Sequence, residues 1–145
     1  MKRLIRLTSR ALGDPVSVRV YVYDDLEHLR RDACAFSGDQ ANANALGVTH
    51  AWTDEEQRAA LCTIRLWRER IGTEVVVHEM HHASTALYGA TLPDTVDRLE
   101  VLNHVNEPFA YLHGELVRKL VDRLYALGYY DQHETQHPDA TEEQE

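Results

Sequence analysis

The stretch Val75-Val76-Val77-His78-Glu79-Met80-His81-His82-Ala83 decides how the whole chain is interpreted, because it contains the pattern H-E-x-x-H at residues 78–82. On a helix, side chains four residues apart lie about 40° apart on one face, so the imidazoles of His78 and His82 can reach the same metal ion. Glu79 then stands beside that ion, where it can take a proton from a bound water. Zinc suits two neutral imidazoles with a carboxylate, and it lowers the pKa of bound water to about 7.

The neighbouring sequence predicts a helix for this motif and a hairpin before it. Gly72-Thr73-Glu74 supplies a capping residue and a first-turn carboxylate, so we expect a helix through Val75–Tyr88 that ends near Gly89. Ala45–Trp52 and Leu61–Trp67 have the composition and alternation of two paired strands.

The N-terminal part of the chain predicts two further strands and a helix. Arg3–Thr8 and Val16–Tyr23 are rich in β-branched and aromatic residues, and the turn signal Gly13-Asp14-Pro15 separates them. Asp24-Asp25 offers an N-cap for a helix that continues with apolar residues at helical spacing and ends at Ser37-Gly38.

The C-terminal part predicts a helical region and an acidic tail. Helical spacing continues from Pro93 to Leu127, with a break inside this range, and Gly128 is a plausible C-cap. The fold class expected is α+β: a single domain over residues 1–130, with a small mixed sheet, the motif-bearing helix and a second helix that carries a glutamate. Residues 131–145 are polar and acidic with no apolar face, which predicts a disordered tail.

A catalytic zinc site needs a third protein ligand and an open position. The longer pattern H-E-x-x-H-x-x-G-x-x-H fails at Thr85 and Tyr88. Four residues downstream stay open as the third ligand: Glu107, Glu100, His104 and His113. Glu107 is favoured, because Pro108 suits the first turn of a helix and Ala110, one turn along, leaves room for the motif helix.

The residues His78-Glu79-x-x-His82-Ala83 followed by Glu107-x-x-Ala110-Tyr111 resemble the zincin metallopeptidases, in particular the minimal gluzincin domains of bacteria and phages. The resemblance covers about Val16–Leu127, and the strands before the motif are also similar to those of SprT-like zincins. It implies a zinc-dependent peptidase in which His78, His82 and Glu107 bind Zn²⁺ and Glu79 is the general base. It departs from the family at His81, where zincins usually have an apolar residue.

Two further expectations concern the substrate, a peptide or protein. Tyr111 and His104 lie within about 60° of Glu107 on its helix, so either can face the metal site and donate a hydrogen bond to an oxyanion; Tyr111 is the one assigned to catalysis. The resemblance also suggests that the edge strand Leu46–Trp52 binds the substrate backbone by strand addition, which Gly47 would ease by letting a backbone approach closely.

Composition limits the other functions. The 145-residue chain has 15 Lys and Arg against 24 Asp and Glu, a net charge of −9, which argues against binding nucleic-acid phosphates. No apolar run approaches the roughly 18 residues of a membrane span, and no signal-peptide core is found, so no membrane association and a cytoplasmic location are expected. Two alternatives stay open: a zinc-binding zincin-like interaction module without catalysis, and an acidic decoy protein.

Overall fold

Four strands form one mixed sheet in the computed structural model, which describes residues 1–38, 40–53, 59–92 and 107–130. The strands are β1 (Lys2–Ser9), β2 (Val16–Tyr23), β3 (Gly47–Thr53) and β4 (Ala59–Trp67). The helices are α1 (Leu26–Ser37), α2 (Thr73–Gly89) and α3 (Glu107–Ala126), and short 3-10 turns occupy Gln40–Asn44 and Arg68–Arg70. The described elements confirm the predicted α+β class.

The order of strands across the sheet is β1-β2-β4-β3, so β1 and β3 are its two edges. β1 pairs with β2 in antiparallel fashion, and β3 pairs with β4 likewise, with Thr49 opposite Ile64, which confirms the predicted hairpin. β2 and β4 are parallel, with Val20 opposite Ile64. The crossover between them contains α1 and β3.

The core lies on the face of the sheet that α2 and α3 cover. The four valines at alternate positions of β2 are buried there, as the alternation predicts. α3 adds a fully buried stripe: Leu112, Leu116, Leu120 and Leu124. α1 covers part of the opposite face with Leu29 and Ala33. Its ends match the predicted caps, since Asp25 accepts a hydrogen bond from the Glu27 amide and Gly38 has the left-handed φ of 68°.

The end of β1, the first strand, contacts the middle of α3, the last described helix. Ser9 is buried, and its hydroxyl donates a hydrogen bond to the carboxylate of Glu115. The Lys119 ammonium donates to the carbonyl oxygen of Thr8 at 2.6 Å and pairs with Glu115. These contacts join β1 to α3 across the sequence.

Two predicted features lie outside the described residues: the part of the predicted helical region that precedes Glu107 (93–106), and the acidic tail (131–145). Within the described helices, none combines the length and the apolar character that crossing a bilayer requires.

Candidate metal centre

α2 carries the H-E-x-x-H residues on the side that faces the edge strand β3. Its apolar positions Val76, Met80, Ala83 and Leu87 are fully buried against the sheet and α3. His78 and His82 are exposed, while Glu79 between them is only 6% exposed. The helix therefore places one carboxylate inside the protein and two imidazoles at its surface.

The two imidazoles converge on one point. The Nε2 atoms of His78 and His82 are 3.2 Å apart, and the rings meet edge to face, with centroids 4.7 Å apart. Two Zn–N bonds of about 2.0–2.1 Å at a tetrahedral angle would hold their nitrogens about 3.3 Å apart. The pair thus has the separation that one tetrahedral zinc ion needs from two histidine ligands.

Strand β3 holds the carboxylate of Glu79. The Thr49 hydroxyl lies 2.7 Å from Glu79 Oε2 and 2.9 Å from the Glu79 carbonyl oxygen. Gly47 leaves room for the same carboxylate, because a Cβ on residue 47 would lie 3.0 Å from Oε1. Since this contact is tighter than nine in ten real Cβ contacts, a larger residue at position 47 would require the carboxylate to shift by a few tenths of an ångström.

A cleft of about 330 Å³ opens at this place between β3 and α2. Small side chains of β3, including Thr49 and Ala51, form one wall. His78, Glu79, His82 and Ala86 form the other. β3 is an edge of the sheet, and no described strand pairs with its outer side. The two imidazoles and the buried carboxylate therefore lie next to a free strand edge.

The predicted third ligand, Glu107, is the first residue of α3. The backbone of Glu107 begins α3, but the Glu107 side chain lies outside the described part, as do Glu100 and His104. In the part of the chain that is described, no group of three or more histidine, cysteine, aspartate or glutamate side chains converges on one point. Glu107 therefore stays a prediction.

His113 packs between α3 and α2 and does not line the cleft. Its Nδ1 lies 3.3 Å from the Ser84 hydroxyl, and its ring stacks on Phe109 with centroids 5.8 Å apart. Burial, and next the charge of His81, lowers the pKa of His113. The exposed His81 ring meets Phe109 and His113 edge to face, on the flank of α2 rather than in the cleft.

Tyr111 is 71% exposed on α3 and is not among the residues that line the cleft. The contact of Thr49 with Glu79 was not predicted from the sequence, and Gly47 was predicted to admit a substrate backbone. The run of small residues at alternate positions of β3 (Gly47, Thr49, Ala51) was the available signal, because such residues on one face of a strand leave space for a neighbour.

Comparisons with protein-family models, with curated proteins and with solved structures gave no match to this chain. The interpretation of the cleft therefore depends on its own geometry.

Proposed function

We propose that this protein is a zinc-dependent peptidase whose centre is the cleft between α2 and β3. The observation that carries the proposal is the placement of three side chains on one helix: two exposed imidazoles with Nε2 atoms 3.2 Å apart, and a buried carboxylate between them. This is the chemistry of a hydrolytic zinc site: neutral nitrogen ligands, a general base beside them and an open side toward solvent. By the resemblance, Glu107 completes the ligand set.

His78, His82 and Glu107 would hold the ion. When bound, zinc lowers the pKa of a water molecule and polarises a carbonyl group. Glu79 would take the proton from that water, hold it at Oε1 and pass it to the nitrogen of the leaving amine. Oε1 is the oxygen proposed for this task because Thr49 donates to Oε2.

The substrate fits along β3. An extended peptide can pair with the free edge of a strand, and its side chains would then point alternately toward and away from the sheet. Its carbonyl groups would lie beside His78, His82 and Glu79, since these residues and Gly47–Thr49 line the same cleft. We therefore propose an extended segment of a peptide or protein as the substrate.

Glu79→Gln tests the proposed reaction. The variant keeps the size of the side chain and removes the base, so zinc should stay bound while hydrolysis of a mixed peptide library falls by about 10²–10⁴-fold. Metal content by mass spectrometry and library cleavage are the two measurements. Glu74→Gln is the matched control, since Glu74 is an exposed glutamate in the first turn of the same helix. It should change neither measurement.

Ligand variants complete the test. His82→Ala and Glu107→Gln should each weaken zinc binding itself. Loss of zinc from Glu79→Gln would mean that Glu79 is a ligand and that the assigned roles are wrong. A wild type that holds zinc fully yet cleaves nothing in a broad library would favour the non-catalytic interaction module. A wild type that binds no metal would favour the acidic interaction protein.

A further inference from the structure

A second groove runs along the outer edge of β1, at the opposite edge of the sheet from the candidate metal centre. We call it the β1 groove; β1 forms one wall, and the last turns of α3 with Tyr129 form the other. Three cavities of about 410, 320 and 270 Å³ follow one another along it. The first two share Arg123 and Ala126, and the last two share Arg3 and Leu127, so each cavity adjoins the next.

The shape of the groove suits an extended chain. β1 is an edge strand of eight residues, and no described strand pairs with its outer side. The Thr8 carbonyl already accepts a hydrogen bond from Lys119, and the other outward N–H and C=O groups of such an edge can pair with an added strand. Leu127, at the wall of the groove, is 37% exposed.

The β1 groove is basic, although the whole chain has a net charge of −9. Six cationic side chains line it: Lys2, Arg3, Arg6, Arg68, Lys119 and Arg123. Its two carboxylates, Asp24 and Asp122, already lie within 4 Å of a cation. Within the described residues, Arg3, Arg6 and Arg123 are exposed and have neither a hydrogen bond nor an ion pair.

The register of β1 and β2 places a second arginine beside Arg6, in a cavity that adjoins the β1 groove. Arg6 lies directly opposite Arg19, and both side chains are exposed. Like charges directly opposite each other destabilise a sheet. Arg19 adds positive charge next to Arg6, so this part of the groove favours a carboxylate-bearing occupant.

We propose that residues 131–145 of this chain bind in the β1 groove. This segment contains no lysine or arginine and six carboxylates: Asp131, Glu134, Asp139, Glu142, Glu143 and Glu145. It follows Tyr130 directly, and Tyr129 lines the end of the groove beside Met1 and Lys2. Fifteen extended residues span about 50 Å, more than the roughly 26 Å of an eight-residue strand.

Because residues 131–145 are covalently joined to the domain, weak contacts are enough to hold them in the β1 groove. A segment tethered this closely has an effective concentration of about millimolar, so no large apolar interface is needed. The segment has no apolar face, and its binding must therefore come from carboxylate–arginine attraction and from backbone pairing with β1. This proposal is independent of the metal centre.

Hydrogen exchange of the full chain, measured by mass spectrometry over residues 2–9, tests the proposal. The comparison variant is the full chain with Glu134→Gln, Asp139→Asn, Glu142→Gln and Glu143→Gln. We expect β1 amides to exchange about ten-fold faster in this variant at low salt. The difference should vanish near 1 M sodium chloride, where the Debye length is about 3 Å.

Arginine variants identify the binding site. Arg6→Ala with Arg123→Ala should reproduce the faster exchange of β1, whereas Arg31→Ala, an exposed arginine of α1, should not. Exchange in residues 16–23 of β2 reports whether the sheet remains folded, and it should stay unchanged. Equal exchange of the β1 amides in the wild type and in the variant with four carboxylates replaced would overturn the proposal. So would a difference that grows with protein concentration, which would assign the groove to a second copy of the chain.

Discussion

Replacing Thr49 by valine tests whether β3 holds the general base in place. Valine has nearly the same shape as threonine but no hydroxyl, so it removes the 2.7 Å hydrogen bond to Glu79 Oε2 and leaves the packing intact. The second acceptor of that hydroxyl, the carbonyl oxygen of Glu79 at 2.9 Å, loses a contact as well. Because Glu79 is only 6% exposed, water cannot easily replace the lost donor.

The size of the effect follows from the charge of the acceptor. A hydrogen bond to a charged group contributes about 1.5–3 kcal/mol. If the aligned carboxylate loses that amount, the fraction of molecules ready to react falls by about 10- to 150-fold, since each 1.36 kcal/mol is a factor of ten. We therefore expect kcat/KM of Thr49→Val to fall within this range while the zinc content stays at the wild-type level.

The assay uses one peptide that the wild type cleaves in the library, with metal content measured on the same samples. Thr49→Ser is the control, because it keeps the hydroxyl and removes only a methyl group; its kcat/KM should stay within about three-fold of the wild type. Full activity of Thr49→Val would refute the reasoning. Equal losses in the valine and serine variants would refute it too, because the methyl group and not the hydrogen bond would then matter.

Two further predictions concern stability. A chelator should lower the Tm of the wild type by roughly 10 °C and leave that of His82→Ala unchanged, because a ligand that binds only the folded state stabilises it; an unchanged wild-type Tm in calorimetry would contradict the metal assignment. His50 accepts a hydrogen bond at Nδ1 from Arg65 at 2.8 Å, and burial, and next the charge of Arg65, lowers the pKa of His50. Because the folded state resists protonation of His50, the free energy of unfolding should fall as the pH drops through the unfolded pKa of about 6.5. This fall should be shallower in His50→Gln, and equal slopes in urea titrations of the two proteins would contradict it.

Local patterns were enough to predict most of the described elements. The alternation of Val16–Tyr23 predicted β2 with the bounds that the structure has, and the caps of α1 lie within the predicted pairs Asp24-Asp25 and Ser37-Gly38. These features depend on residues close together in the chain. The order of the strands does not, because nothing local in β2 or β4 shows that they pair in parallel across a crossover.

In the candidate site, too, the features that depend on nearby residues could be predicted, and the contacts between elements could not. The position of His78 and His82 on one face follows from helical spacing alone, and their Nε2 atoms are indeed close. The contact between Thr49 and Glu79 depends on how α2 is rotated against β3, which no pattern within either segment determines. Gly47 was expected to admit a substrate backbone, whereas the structure shows the carboxylate of Glu79 against it. Which residue is the third ligand remains a prediction.

The groups of the cleft come from one short stretch of chain, and this has a consequence for folding. Thr49 and Glu79 are 30 positions apart, whereas Ser9 and Glu115 are 106 apart. Loop-closure entropy makes the longer contact costlier from the unfolded chain by roughly 1.1 kcal/mol. The unit β3–β4–α2 can therefore bring Thr49, Glu79 and the two histidines together before β1 and α3 meet, whereas Glu107, the proposed third ligand, lies on α3 and can join them only when α3 packs against α2.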